Sequence, residues 1–309
     1  MWLTFIKYKI RPAINNNDQL SELRLKKQQF DKKVLNIRPL RQVHFMTTKG
    51  FVSLVGSGPG DPELLTMKAL RLIHQADVVV YDRLVSPEIM SMVPHGTSQI
   101  SVGKSPGKHC VPQDQINEIL VGLASSGRRV VRLKGGDPYI FGRGGEEALV
   151  LRQHGIPFEV VPGVTAASGC SAYSGIPLTH RGLNHGVRFL TGHLQNDDSL
   201  DVDWSKLADP DCTLVIYMGL ANLQQICDQL IDAGLPASTA AAAIHGGTTR
   251  EQQKVISSLA ELATAVDSAG MKSPVTIIIG EVVSLSDELD WFDSDSRASA
   301  EVISYEAFN

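Results

Sequence analysis

The amino-acid sequence predicts an α/β protein with two α/β domains, each built on a mostly parallel sheet. Short β-branched and apolar runs alternate with segments whose apolar residues recur at helical spacing, which is typical of a parallel sheet covered by helices. Glycine clusters directly follow several of these runs, where ligands bind in open α/β sheets. The alternation restarts after residue 173, and 309 residues are enough for two domains.

Residues 50–162 are predicted to form the first domain. The segment 62–74 has apolar residues at helical spacing, and Asp61 is placed to cap its start. Two further helices are predicted over residues 113–124 and 146–154. The strands are short apolar runs closed by glycine or polar residues. They cover residues 51–55, 77–81, 99–102, 129–133 and 158–161.

Residues 163–292 are predicted to form the second domain, with the boundary near Pro162 and Gly163. A polar loop is predicted over residues 195–203. Its predicted helices cover residues 165–173, 220–233 and 257–266. Its predicted strands cover residues 187–191, 213–218, 240–244 and 275–279.

The two ends of the chain differ in charge from its body. Residues 1–50 carry 11 basic and 3 acidic residues, whereas the rest carries 18 basic and 30 acidic residues. We therefore expect residues 1–49 to be a basic, poorly ordered extension, and residues 293–309 a polar tail. An upstream start codon before Met46 and a targeting segment are both open explanations of the extension. The acidic body argues against a nucleic-acid partner.

Composition narrows the protein class further. No apolar run approaches the roughly 20 residues that span a membrane, so we expect no membrane association. The four cysteines (Cys110, Cys170, Cys212 and Cys227) show no CxxC pairing and are expected to be reduced, buried thiols in a cytoplasmic protein. No histidine pair has the spacing of metal ligands, and we expect no metal site.

Glycine turns indicate where backbone approaches a ligand. Gly135-Gly136-Asp137-Pro138 and Gly142-Arg-Gly-Gly145 lie close together, and glycine loses more conformational entropy on folding than other residues. The turn Gly56-Ser-Gly-Pro-Gly-Asp61 is similar to a dinucleotide fingerprint, but Asp61 stands where the last glycine belongs. An ordinary tight turn and a nicotinamide-dependent oxidoreductase therefore stay as alternatives for this segment.

Charged residues follow two of the predicted strands. Asp82 follows the strand 77–81, and Lys104 follows the strand 99–102, although a helix cap and a surface lysine are also possible interpretations. A set of basic residues, several of them at loops, would suit a small polyanionic substrate, because arginine binds carboxylates with two parallel hydrogen bonds. This set comprises Lys104, Lys108, His109, Arg132, Lys134, Arg143, Arg181 and Arg188.

Together these segments resemble the tetrapyrrole methyltransferase family, specifically its branch that acts on uroporphyrinogen III. The resemblance covers about residues 50–292. It is carried by ten motifs in order, which are Val55-Gly-Ser-Gly-Pro-Gly-Asp-Pro62, Val80-Tyr-Asp-Arg-Leu-Val-Ser86, Val102-Gly-Lys104, Cys110-Val-Pro-Gln113, Val131-Arg-Leu-Lys-Gly-Gly-Asp-Pro138, Phe141-Gly-Arg-Gly-Gly-Glu146, Val161-Pro-Gly-Val-Thr-Ala-Ala-Ser168, Ile176-Pro-Leu-Thr-His-Arg181, Thr191-Gly-His193 and Tyr217-Met-Gly219.

The resemblance implies a homodimer of two-domain subunits with an active-site cleft between the domains. It implies S-adenosyl-methionine as methyl donor, S-adenosyl-homocysteine as its product, and methylation of uroporphyrinogen III at C2 and C7 to precorrin-2. It makes Asp82 the candidate proton acceptor and Lys104 the candidate proton donor. The implied cofactor contacts are Pro59, Gly135, Gly136, Asp137, Ile140, Thr165, Ala166, Met218 and Gly247. The expected substrate contacts are Lys108, His109, Arg132, Arg143 and Arg181.

Other functions stay open at the level of sequence. Sister enzymes methylate later corrin precursors, diphthine or ribosomal RNA, and a non-catalytic tetrapyrrole-binding protein is a further alternative. Residues 1–45 are too short for the NAD-binding module that fused sirohaem synthases carry, so we expect only the methyltransferase step. The sequence does not distinguish the sirohaem branch from the cobalamin branch.

Overall fold

The computed structural model describes residues 50–103, 111–192 and 202–292. Its first sheet is entirely parallel, with the strand order β3-β2-β4-β1-β5. The strands are β1 (Phe51–Gly56), β2 (Val78–Tyr81), β3 (Ser98–Ser101), β4 (Arg129–Lys134) and β5 (Phe158–Val161). The helices among them are α1 (Met67–Gln75), α2 (Pro87–Ser91), α3 (Gln113–Ser125) and α4 (Gly144–Gln153).

Both faces of the first sheet are covered at β1 and β2, which explains why these two strands are mostly apolar without polar alternation. Val52 and Leu54 of β1 pack on one face with Leu120 of α3. Val55 of the same strand packs on the opposite face with Ile73 of α1. The sheet is therefore the middle layer of a helix–sheet–helix sandwich, and its loops carry the polar chemistry.

The second sheet has the order β6-β7-β10-β8-β9. Its strands are β6 (Gly186–Thr191), β7 (Cys212–Tyr217), β8 (Ala240–His245), β9 (Gln253–Ser258) and β10 (Val275–Ile279). The helices of this half are α5 (Ala166–Tyr173), α6 (Trp204–Leu207), α7 (Leu223–Asp232), α8 (Leu262–Ser268) and α9 (Ser286–Leu289). Short 3-10 turns cover Pro62–Leu64, Leu220–Asn222 and Glu281–Leu285.

The predicted parallel character holds for the first sheet and is wrong for the second. Only β6 and β7 pair in parallel, whereas β10 runs antiparallel to both β7 and β8, and β9 runs antiparallel to β8. The reason is a hairpin that joins β8 to β9 directly, without the crossover helix that a parallel pair needs. The α/β class itself is confirmed, while the domain boundary near residue 162 stays a prediction.

Two predicted helices have different bounds. The helix expected over residues 62–74 is a 3-10 turn and a separate α1, because the Thr66 side chain accepts the Ala69 amide hydrogen and starts a new helix. The helix expected over 257–266 begins at Leu262, since the residues before it belong to β9.

Several expectations concern residues outside the described part of the chain. They include the extension 1–49, the tail 293–309, most of the polar loop 195–203, and the residues Lys104, Lys108, His109 and Cys110. Within the described part, Cys170, Cys212 and Cys227 are buried free thiols, as predicted. None of the helices described there is long and apolar enough to cross a membrane.

Candidate functional site

Four loops meet at the carboxyl edge of the first sheet. They follow β1, β2, β4 and β5, which lie side by side in the order β2-β4-β1-β5. The loop after β2 packs on the loop after β4, because a side chain on Gly135 would come within 2.6 Å of the Leu84 Cβ atom. Open α/β sheets bind their ligands at this edge. The predicted residues Asp82, Gly135 and Gly136 therefore share one region.

The glycine turns after β1 and β4 are bonded to each other. Gly136 N donates to the Gly58 carbonyl oxygen at 2.7 Å, and Gly58 N donates to the Gly136 carbonyl oxygen at 3.1 Å. A Cβ atom on Gly56 would lie 2.6 Å from both the Gly136 oxygen and the Gly163 nitrogen. No side chain fits there, so backbone packing requires a glycine at this position, whether or not a ligand also does.

Gly136 also faces the start of helix α5. Its φ angle is +67°, and a Cβ atom there would lie 3.7 Å from Ala166 N and 3.9 Å from Thr165 Cα. The structure thus brings three of the predicted cofactor residues, Gly136, Thr165 and Ala166, to one junction. This junction joins the first sheet's edge to the first turn of a helix, where backbone N–H groups point outward.

Tyr217 holds the first turn of α5 in place. No role was predicted for this residue from the sequence. Its hydroxyl shares a 2.6 Å hydrogen bond with Thr165 Oγ1 and accepts one from Ala167 N at 3.0 Å. Burial raises the pKa of Tyr217, so the hydroxyl stays neutral and can both donate and accept. The available sequence signal was its position at the end of β7, directly before Met218.

Pro59 and Gly247 contact the same helix from other sides. Pro59 packs against Gly169, and Gly247 packs against Cys170 without room for a side chain. The Asp61 amide donates to Thr248 Oγ1 at 3.1 Å, which ties the loop after β1 to the hairpin that contains Gly247. These contacts place Pro59 and Gly247 around α5, together with Thr165 and Ala166.

Strained backbone is concentrated in these loops. The non-glycine residues with left-handed φ in the described ranges are Phe141 (53°), Arg143 (60°), Met218 (56°) and Thr248 (70°). The Phe141 ring lies 4.9 Å from the Tyr217 ring, and the Met218 side chain is 53% exposed despite being apolar. Such strain persists where surrounding structure enforces it, and it is common at ligand sites. No pattern in the sequence predicts these backbone angles.

Asp137 and Ile140 belong to the loop after β4. Asp137 accepts backbone hydrogen bonds from Tyr139 N at 2.8 Å and from Gly163 N at 3.1 Å. A carboxylate offers about four acceptor positions, so two are left for hydroxyl groups or an ammonium. Ile140 is half-buried three residues further along, and no described contact ties it to α5.

A buried charge cluster lies beneath this edge. Glu147 Oε1 lies 3.0 Å from both Arg132 Nε and Lys134 Nζ, and a terminal nitrogen of Arg132 lies 3.6 Å from Asp82 Oδ2. Glu147 and Arg132 are 0% and 3% exposed. Burial lowers the pKa of Lys134, as does the charge of Arg132, while Glu147 acts in the opposite direction.

The predicted substrate-binding residues differ in their exposure to solvent. Arg143 is exposed at the start of α4 and forms a two-bond ion pair with Glu146 at 2.9 and 2.7 Å. Arg181 is exposed in the segment after α5. Arg132 is instead buried. Its nitrogens hydrogen-bond to Glu147 and to the Leu133 carbonyl, and one of them lies 3.6 Å from Asp82 Oδ2. This placement does not support the predicted contact of Arg132 with a substrate carboxylate.

The position of the Asp61 carboxylate is unfavourable for binding a dinucleotide phosphate. Its Oδ1 accepts the Glu63 amide hydrogen at 2.9 Å, as the predicted cap, and its Oδ2 accepts the Tyr173 hydroxyl hydrogen at 2.7 Å. A buried carboxylate at the first turn would repel a pyrophosphate bound there. The geometry argues against the nicotinamide-dependent alternative.

The sequence is similar to a family of known proteins over most of its described length. Residues 52–263 match the model of the tetrapyrrole (corrin/porphyrin) methylases. The chain is 55% identical over 249 residues to a siroheme synthase of Azotobacter vinelandii, covering 81% of this chain and 53% of that protein. It is 57% identical over 248 residues to a siroheme synthase of Pseudomonas fluorescens, with 80% and 53% covered. The chain spans about half the length of these curated relatives.

Solved structures show the same fold. Uroporphyrin-III C-methyl transferase from Thermus thermophilus, complexed with S-adenyl homocysteine, matches with a TM-score of 0.66 and 41% identity, over 76% of this chain and 100% of that one. A cobalt precorrin-4 methyltransferase matches with a TM-score of 0.67 and 26% identity, over 75% and 95% of the two chains.

Proposed function

Because this chain belongs to the tetrapyrrole methylase family, we propose that it transfers methyl groups from S-adenosyl-methionine to C2 and C7 of uroporphyrinogen III, giving precorrin-2. The observation that carries the proposal is the junction of Gly136 with Thr165 and Ala166, framed by Pro59 and Gly247. The Thermus thermophilus protein complexed with S-adenyl homocysteine matches 76% of this chain at 41% identity, which supports the same cofactor here.

The residues of the junction fit this cofactor. The Thr165 side chain makes no hydrogen bond to its own helix within the described residues, so the first turn of α5 keeps amides that can face a carboxylate. Asp137 would accept hydrogen bonds from ribose hydroxyls or the ammonium group. Met218 and Ile140 would supply apolar walls. S-adenosyl-methionine, when bound, supplies an electrophilic methyl group, and the protein mainly has to align donor and acceptor.

Two charged residues would handle the protons. Methyl transfer leaves a positive charge on the substrate, which must then lose a proton from a position other than the methylated carbon. Asp82, a partly exposed carboxylate at the end of β2, would accept that proton. Lys104 would act as proton donor; it lies outside the described residues and is assigned from the resemblance. Arg143 and Arg181, both exposed, would hold the acetate and propionate groups of the substrate, together with Lys108 and His109.

Assembly and location belong to the same proposal. The family resemblance supports a homodimer in the cytoplasm, with precorrin-2 passed on to sirohaem or cobalamin synthesis. Size-exclusion chromatography with light scattering measures the dimer directly. A monomer that retains full activity would contradict that part alone.

One assay tests the reaction. Purified protein is mixed with S-adenosyl-methionine and fresh uroporphyrinogen III without air, and the product is weighed by mass spectrometry. A product heavier by two methyl groups is expected, and Asp82→Asn should form it more slowly. Asp82→Asn and Lys104→Ala should keep the affinity for S-adenosyl-homocysteine, because neither is expected to touch the cofactor.

The possible failures are distinguishable. If the substrate mass is unchanged while calorimetry detects S-adenosyl-homocysteine binding, the acceptor is wrong, and later corrin precursors should be tried next. If the protein binds NADH and not S-adenosyl-homocysteine, the reaction class is wrong. If neither Asp82→Asn nor Lys104→Ala slows turnover, the assigned proton roles are wrong.

A further inference from the structure

Glu147 is an acid on a face of α4 that is otherwise apolar. The buried positions of this helix are Gly144, Glu147, Ala148 and Leu151, which follow the helical spacing of a core-facing side. Glu147 Oε1 accepts from Arg132 Nε, Lys134 Nζ and Gln113 Nε2, at 3.0, 3.0 and 3.2 Å. In the described part of the chain no donor bonds to its Oε2 atom. A leucine at this position would satisfy the helix pattern without burying a charge.

Stability alone does not account for this arrangement. Desolvation of buried ions often outweighs their attraction, and well-packed apolar residues can replace such clusters without loss of stability. A charged cluster that is costly to bury suggests that it positions another residue, and the geometry of the cluster indicates which residue that is. Arg132 reaches from Glu147 at one end to Asp82 at the other, and Asp82 is the only member of the cluster with substantial exposure among the described residues.

The Arg132 guanidinium is fixed on more than one side. Its Nε bonds to Glu147, and a terminal nitrogen bonds to the carbonyl oxygens of Leu133 and Val80 at 3.1 and 3.5 Å. The remaining terminal nitrogen lies 3.6 Å from Asp82 Oδ2, while Asp82 Oδ1 accepts the Leu84 amide hydrogen at 3.0 Å. Both carboxylate oxygens of Asp82 are thus oriented by the protein.

We propose that Arg132, anchored by Glu147, is a positioning residue that holds the Asp82 carboxylate in the orientation needed to accept a proton from the substrate. The inference rests on the proposed function, since Asp82 receives its catalytic role there. Lysine cannot replace arginine, because it lacks the planar fork that hydrogen-bonds to Glu147 while it also pairs with the charge of Asp82.

A double-mutant cycle in the full chain tests this proposal. Arg132→Lys should lower kcat about 10- to 100-fold, the scale expected from misplacement of a catalytic group, with little change in KM or in S-adenosyl-homocysteine affinity. Asp82→Asn should be slower still, and the double variant should match Asp82→Asn within about threefold, because Arg132 acts through Asp82. Additive losses, or full activity of Arg132→Lys or Asp82→Asn, would overturn the proposal.

Two further variants control for stability. Arg129→Lys removes a two-bond ion pair with Asp77 at the other end of the same strand, and it should leave kcat unchanged. Glu147→Gln keeps the shape of the residue that anchors Arg132 and removes its charge. It should lower kcat in the parent protein but leave kcat unchanged when Asp82→Asn is already present. If Arg132→Lys unfolds at working temperature, the Glu147→Gln cycle decides in the same way.

A crystal structure of Arg132→Lys separates this inference from the methyl-transfer proposal. The Asp82 carboxylate should leave the orientation that it has in the parent protein, and it should keep that orientation in Arg129→Lys. An unmoved Asp82 in Arg132→Lys would refute the positioning role, whatever substrate the enzyme proves to use. Failure of the parent protein to methylate uroporphyrinogen III would refute only the choice of substrate.

Discussion

The Tyr173 hydroxyl donates a 2.7 Å hydrogen bond to Asp61 Oδ2, across 112 positions of sequence. Asp61 is the last residue of the turn after β1, and Tyr173 is the last residue of α5. Both side chains are buried. The bond therefore joins the glycine turn of the first sheet to the helix that carries Thr165 and Ala166.

Tyr173→Phe should destabilise the protein by about 1.5 to 3 kcal/mol, the usual cost of losing a hydrogen bond to a buried charged group. Urea unfolding monitored by circular dichroism measures the change. Tyr139→Phe is the matched control, because that side chain is 56% exposed. It should change stability by less than about 0.5 kcal/mol. Equal effects from the two variants would contradict the role given to the buried bond.

Gly136→Ala should weaken S-adenosyl-homocysteine binding. Its φ of +67° costs an L-residue about 1 to 2 kcal/mol, and the new methyl group would face the first turn of α5. Isothermal titration calorimetry measures the affinity. Gly145→Ala is the control, since that position is in α4 with no described atom within 4 Å of an added Cβ. Undiminished binding by Gly136→Ala would mean that the cofactor contacts another turn.

Met218→Gly should separate stability from binding. Glycine adopts the left-handed angle of 56° without strain, so the free energy of unfolding should stay equal or rise by up to about 1 kcal/mol. Loss of the exposed side chain should nevertheless reduce cofactor affinity. Met67→Ala, at another exposed methionine, should leave the affinity unchanged. A Met218→Gly variant with parental affinity would exclude this side chain from the site.

Stability should fall at alkaline pH because of buried thiols. Burial raises the pKa of Cys170 from 9.0 to about 11, so the unfolded chain loses this proton at lower pH than the folded one. The free energy of unfolding therefore falls as the pH rises between these two pKa values, by about 2 to 3 kcal/mol in total. Cys170→Ala should flatten this decline in unfolding experiments from pH 8 to 11. An unchanged slope would show that other groups control it.

Strong local patterns made much of the fold predictable. The runs at Phe51–Gly56 and Val275–Ile279 are mostly apolar because both of their faces are buried, and such a run is enough to predict a buried strand. β9 was missed for the opposite reason. Its sequence Gln253–Ser258 is polar because it lies at the sheet edge with partly exposed side chains.

The site was predictable at positions that require one residue type. It was less predictable where the position of a side chain depends on the residues that surround it in the fold. The motifs predicted Gly136, Thr165 and Ala166 together, and the φ of +67° at Gly136 is one that favours glycine. The burial of Arg132 was not predicted, because an arginine in a strand looks the same in sequence whether it faces solvent or a buried acid. Glu147 could have been noticed from its apolar helical position, three residues after Gly144 and four before Leu151.

The bond from the Asp61 amide to Thr248 has a consequence for how the protein emerges from the ribosome. The strands of the first sheet pair only with one another, so residues 51–161 can complete that sheet early in synthesis. The loop after β1 acquires its Thr248 contact only when a segment 187 positions later has been made. A nascent chain stopped before that point would carry the strands of the first sheet without the bond that ties the loop after β1 to Thr248.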